Sequence, residues 1–249
     1  MERGNEPFPP AVAQSALQWW LDAGVDVLVD ESPRDWLRPA PKPVAAHQAA
    51  VSAPAPAAPE PAPERLPDEI GAFEAYLRTS ETLAFAAPSA PRVGPAGDPA
   101  SGLMILIDMP AAEDCASGIL LSGEAGALFD RMMAAIGRER SSLYLASLSC
   151  LRSPDGRFTQ STAAQCAALA RHHIGLVRPK AVLLLGDACS RALLGMSMAQ
   201  ARGRWHEIPT EAGGVNAIVT IAPDFLLKRP SAKAHAWADL QMLVEGLNR

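Results

Sequence analysis

Two groups of side chains in this chain have the types and spacing to do chemistry. The first is thiol and imidazole: Cys115, Cys150, Cys166 and Cys189, with His172 and His173 adjacent. Four cysteines this far apart, in a chain without a secretory leader pattern, read as buried thiols or metal ligands rather than a disulfide framework. The neighbouring histidines point about 100° apart on a helix, so one ion cannot easily take both, and a solvated helix face is expected. The second group follows apolar runs. Asp108 comes directly after LMILI, and Asp224-Phe225-Leu226-Leu227-Lys228-Arg229 sets apolar side chains beside cations. Arg202, Arg204 and His206 form a further basic cluster, read as a surface.

The elements that must position these groups follow from periodicity. LMILI (103–107), LYLASLS (143–149), AVLLLG (181–186) and VNAIVTIA (215–222) are short apolar runs that read as strands. Helical patterns separate them: 123–137, with Leu128, Met132 and Ile136 along one face, then 162–177, 187–195 and a closing helix over 231–247. A further helix is expected around Ile70, Phe73 and Leu77. Unbroken apolar strands between helices predict a three-layer α/β/α fold with a central, mainly parallel four-stranded sheet. Ligands of such a sheet bind at the carboxyl ends of its strands, which places interest just after Ile107, Leu148, Gly186 and Ile221.

Composition sets further bounds. The 249 residues carry a net charge of −5, unevenly distributed. Residues 1–100 hold 7 Lys+Arg against 14 Asp+Glu, and residues 101–249 hold 15 against 13, so any nucleic-acid affinity must come from a local patch and be salt-sensitive. Three regions are expected: an N-terminal helical segment (1–37), an Ala/Pro-rich linker (38–67) that acts as a passive tether, and a globular domain (68–249). The tandem Trp19-Trp20 on the first either packs back onto a core or engages another protein. No apolar run reaches membrane-spanning length, and a cytoplasmic location is expected.

The segments GALFDRMMAAIGRERSSLYLASLSCLRSP (126–154), RPKAVLLLGDACSRALLG (178–195), RGRWHEIP (202–209) and TIAPDFLLKRPSAKAHAWADL (220–240) resemble, in order, the family 4 (iron–sulfur) uracil-DNA glycosylases. The resemblance implies that family's fold and a base pocket, but several functional positions are altered. The motif G-E-A-P-G aligns with Ile107-Asp108-Met109-Pro110-Ala111, so the acid that positions water is Asp108, one methylene shorter. That withdraws its oxygens by roughly 1–1.5 Å, enough to lose much of a near-attack geometry. Leu121 stands where the family stacks an aromatic ring on the flipped base, an interaction of roughly 1–3 kcal/mol per base. Ala146 takes the place of the Asn that binds the uracil edge, and Ala222 that of the His that stabilises the departing base. Losing one such donor costs roughly 10²–10³ in rate.

The resemblance also implies an iron–sulfur cluster on four cysteines. Cys150 and Cys166, sixteen residues apart, match the second pair, while the first would fall near Thr82–Phe85, where there is none. No cofactor is expected, and the two cysteines are read as inherited and packed. In relatives, the 224–229 segment presses apolar side chains into DNA while basic ones hold phosphate. Here that points to Phe225, Leu226, Lys228 and Arg229, with Arg202, Arg204 and His206, as DNA contacts. The expected function is a catalytically inactive or strongly impaired DNA- or protein-binding module in DNA repair or replication. It would bind DNA weakly and could meet a repair protein through Trp19 and Trp20. One alternative is an active glycosylase using water held by Asp108; another is a pocket reused for an unrelated small ligand.

Overall fold

The computed structural model describes residues 65–87 and 89–248. Trp19, Trp20, the 1–37 segment and most of the 38–67 linker lie outside them. Helix α1 (Ile70–Thr79) leads into strands β1 (Ala96–Gly97) and β2 (Leu103–Ile107), helices α2 (Ala112–Ser117) and α3 (Gly123–Ala135), and strand β3 (Tyr144–Ser147). Helix α4 (Gln160–Val177), strand β4 (Ala181–Leu185) and helices α5 (Asp187–Leu194) and α6 (Met198–Ala201) follow. The chain closes with β5 (His206–Thr210), β6 (Gly213–Thr220), α7 (Pro223–Lys228) and α8 (Lys233–Leu247). Among the described residues, no helix is long and apolar enough to cross a membrane.

All five residues of β2 are buried because both faces of the sheet are covered. The pleat sends Met104 and Leu106 toward Cys166, Ala170 and Ile174 of α4, while Leu103, Ile105 and Ile107 meet Phe129 and Met133 of α3 and Leu240 and Leu243 of α8. That two-sided burial is why the run is continuous rather than alternating.

The sheet order is β1-β3-β2-β4-β6-β5. Its four central strands are parallel, as expected, and an antiparallel strand is added at each edge. Those edges left little trace in the sequence: β1 has two residues, and β5 buries only Ile208 and contains Pro209, which an edge strand tolerates. The chain runs from β2 to β3 on one side, then returns past β2 to β4 on the other. The strand order therefore reverses beside β2, and a crevice opens at the carboxyl ends of β2 and β4.

Two local expectations are corrected. Residues 223–228 form a short helix rather than a loop, since Pro223 at its first position presets the helical φ and has no N–H to leave unpaired. The histidine pair is not a solvated face. His173 is only 3% exposed and lies against Phe73 of α1, while His172 packs on the same ring and meets the Pro67 carbonyl at 2.9 Å.

Candidate active-site cleft

The crevice at the switch point is a cleft of about 320 Å³. Its walls include Asp108, Met109, Leu121, Arg152, Ala222 and Asp224, so three residues singled out in sequence, Asp108, Leu121 and Ala222, converge from separate elements. Pro110 is buried beside it, and its carbonyl accepts a hydrogen bond from Arg152 Nη1 at 3.0 Å. Ala146 is not on the wall: at 1% exposed it sits in the core on the α4 side of β3. Its place on the pleat, which points it away from the cleft, corrects its assignment to the base pocket.

Asp108 is not simply folded onto its own loop. Its Oδ1 accepts the backbone N–H of Cys189 at 2.9 Å, in the first turn of α5. Gly186, which precedes that helix, has no side chain to cap it, so an acid from a different strand satisfies the exposed donor. Gly186 itself has φ 109°, and a β-carbon there would stand 2.8 Å from Asp108 Oδ2. Both its backbone and the approaching carboxylate require glycine. Burial pushes the Asp108 carboxyl above its ordinary range, the Cys189 and Ala188 donors oppose this, and the charge of Asp224 adds to the upward push.

Leu121 is held in the left-handed region at φ 52°, a conformation that costs a leucine energy and persists only where its surroundings enforce it. Asp114 enforces it from one side, accepting the Leu121 N–H at 3.1 Å, the Ser122 N–H and hydroxyl at 2.7 Å each, and the Ala111 N–H at 3.0 Å. Arg140 works from the other, donating to the Leu120 and Leu121 carbonyls at 2.9 and 2.6 Å. Gly126 on α3 completes the fit, because a β-carbon there would collide with the Leu121 carbonyl. Asp114, Arg140 and Arg152 did not stand out in the sequence. Only Asp114 had a local signal, an acid three residues after Ala111 at a helix start.

The predicted DNA-contacting residues separate into two groups. Arg202 Nε pairs with Asp239 at 2.7 Å, and the same Asp239 oxygen accepts the Thr220 hydroxyl at 2.8 Å. Asp239 is buried, so this guanidinium ties the end of α6 to α8, and Thr220 ties β6 to the same acid. His206 is half-buried, with Nε2 2.7 Å from the Ala201 carbonyl. Leu226 is 1% exposed and packs with Leu128, Ile221 and Ala236, which corrects its place among the surface contacts: that face of α7 turns inward. Phe225 and Leu227 are 39% and 37% exposed, and the Arg229 guanidinium lies 5.5 Å from the Phe225 ring centroid. Lys228 stands 3.7 Å from Asp224, and Arg204 is exposed.

The donor set does not fit an iron–sulfur cluster. Cys150 and Cys166 flank a cavity of about 20 Å³, and the segment expected to carry the first cysteine pair supplies Leu83 and Ala84 to its wall. Cys150 Sγ donates to the Leu77 carbonyl at 3.3 Å, so it is a thiol rather than a thiolate. Burial pushes both thiols up to about 11. Cys189 is wholly buried, and Cys115 lies on α2.

A family model described as the uracil DNA glycosylase superfamily matches residues 95–241. Among curated relatives, a type-4 uracil-DNA glycosylase of Pyrobaculum aerophilum is 22% identical over 157 residues, covering 60% of this chain and 80% of the relative. One from Archaeoglobus fulgidus is 20% identical over 156 residues, covering 60% and 78%. The family match runs from β1 into α8 and takes in the whole cleft, more than half of the sequence, and the chain belongs to the uracil DNA glycosylase superfamily.

Proposed function

We propose that this protein is a DNA-binding member of the superfamily, acting in DNA repair, whose cleft does not turn over uracil at a useful rate. The observation that carries this reading is the state of Asp108, whose carboxylate is committed to the α5 N-terminus through Cys189. Hydrolysis of an N-glycosidic bond needs a water aimed at the sugar carbon and a donor for the charge gathering on the departing base. Asp108 has one oxygen occupied and the other against Gly186, and Ala222 offers no donor. Leu121 presents an aliphatic side chain where stacking would need a ring.

DNA contact would fall to α7 and its neighbours. Phe225 and Leu227 present apolar surface beside Lys228 and Arg229, a combination suited to distorting a duplex while holding its phosphates. The Trp19-Trp20 segment belongs to the same proposal, as the element that would meet a repair or replication protein.

One specific observation favours a second reading. Asp108 lines an open cleft with Asp224 nearby, and burial holds its carboxyl above the ordinary range, as in sites built for acid–base work. The two readings part on one assay. Purified protein is incubated with single-stranded and duplex oligonucleotides carrying one uracil, then treated with alkali. The binding-module reading expects salt-sensitive binding without cleavage at stoichiometric protein. Cleavage that disappears in Asp108→Asn, which keeps an acceptor for Cys189, would establish the glycosylase instead.

A further inference from the structure

We infer that α1 and the 80–87 segment form an apolar plug that has taken over the structural role of the family's iron–sulfur cluster, leaving a fold that neither binds nor needs iron. The cavity between Cys150 and Cys166 has room for about one water. Phe73 and Leu77 from α1, Leu83 and Ala84 from the following segment, and Leu169 from α4 supply apolar wall, with Ser147, Ser149 and His173 as its polar members. Phe73, Leu77, Leu83, Cys150 and Leu151 form one buried cluster.

The backbone turns sharply to deliver this plug. Phe85 has φ 66°, and the Ala86 N–H closes a turn on the Leu83 carbonyl at 3.0 Å. The Phe85 ring then rests on Phe158, 5.8 Å between centroids, just before α4. Gln165 of α4 holds the same segment by donating to the Thr82 carbonyl at 2.8 Å.

A polar tie then locks α1 to the sheet. The Tyr144 hydroxyl on β3 donates to Glu74 Oε1 of α1 at 2.7 Å and lies 2.9 Å from His173 Nε2 of α4. With the phenol proton given to Glu74, His173 must donate to the phenol oxygen, which fixes its tautomer. Three elements that a metal centre could join are thus joined by side chains: α1 through the plug and Glu74, β3 through Tyr144 and the Cys150 loop, α4 through Cys166 and His173. Of the four positions a cluster would need, two are the buried cysteines Cys150 and Cys166, and the segment expected to carry the other pair presents Leu83 and Ala84.

The test reads iron and melting temperature on the full chain, so it is independent of whether any base is excised. Protein is produced in iron-rich medium, and a second sample is treated anaerobically with ferrous iron and sulfide. We expect no iron above the buffer blank, no absorbance near 400 nm, and a Tm unchanged by a strong chelator. The Cys150→Ala plus Cys166→Ala double variant should lose only a few degrees, whereas Phe73→Ala should lose on the order of 10 °C. If Phe73→Ala fails to fold, Phe73→Leu should still fall further than the double cysteine variant. Iron retained at about four atoms per chain with the 400 nm band, and lost in Cys150→Ala, would overturn the inference. So would a double cysteine variant that melts as low as the Phe73 variant.

Discussion

The carboxylate of Asp114 accepts the backbone N–H of Leu121, seven residues further on, at 3.1 Å, and so holds a leucine in left-handed backbone on the wall of the cleft. The family resemblance implies a base-stacking ring at this position. The loop is therefore pinned by hydrogen bonds on both sides, with a leucine at that position. Asp114→Ala removes the acceptor of four hydrogen bonds and should destabilise the protein by about 3 kcal/mol. Asp114→Asn, which keeps one acceptor oxygen, should cost less. Urea unfolding gives both values, and a neutral Asp114→Ala would show that the loop is pinned by something else.

Asp108 and Gly186 make a second interlocked pair. Removing the side chain in Asp108→Ala should cost roughly 1–2 kcal/mol, the scale of a lost helix cap. Gly186→Ala should cost more, because the added carbon meets the Asp108 carboxylate and the backbone at φ 109° disfavours any side chain. The order of the two midpoints in chemical denaturation checks the claim.

Arg202 and Arg204 are two residues apart and should behave in opposite ways. Arg202→Ala leaves Asp239 buried and unpaired, at a cost of roughly 3–5 kcal/mol. Arg204→Ala should alter stability by less than about 0.5 kcal/mol. If Arg204 meets a phosphate, the same variant should lower the slope of log K against log salt by about one. Fluorescence anisotropy at several salt concentrations, beside thermal melts, distinguishes the two effects.

The three apolar residues of α7 should divide in the same way. Leu226→Ala should destabilise the fold by roughly 2–5 kcal/mol, since the side chain is enclosed by Leu128, Ile221 and Ala236. Phe225→Ala and Leu227→Ala should leave the melting curve nearly unchanged and weaken DNA binding. Equal losses of stability in all three would mean that α7 presents no outward wedge.

His173 gives the fold a pH dependence of known sign. Burial holds its pKa down at about 3, against 6.5 for the free side chain. Between those values the unfolded chain takes up a proton that the folded chain refuses, so its contribution is intact above about pH 6.5 and is lost as pH falls. The slope approaches about 1.4 kcal/mol per pH unit for one proton. Tyr144 with Glu74 faces the ring on one side, Arg78 is paired to that Glu74, and His172 adds its own charge when protonated. Unfolding free energies from pH 4.5 to 7 should fall less steeply for His173→Gln than for the parent. Identical slopes would refute the assignment.

The sequence by itself determined the layers of this protein and the order of its parts. Hydrophobic periodicity measures how much of an element is covered, and LMILI, covered on both faces, reads directly as a central parallel strand. The acid after it, the altered motif positions and the half-set of cysteines are also visible as residues in a line. Tertiary structure alone decided what each polar group does, because that depends on a partner the chain supplies from far away. Asp108 meets Cys189 across 81 residues, Arg202 meets Asp239 across 37, and Tyr144 meets Glu74 across 70. No local pattern encodes such distances. The same holds for Leu226, indistinguishable from Leu227 in sequence: which of two adjacent leucines is buried depends on how a six-residue helix is set against α3 and α8, and only the packed fold fixes that rotation.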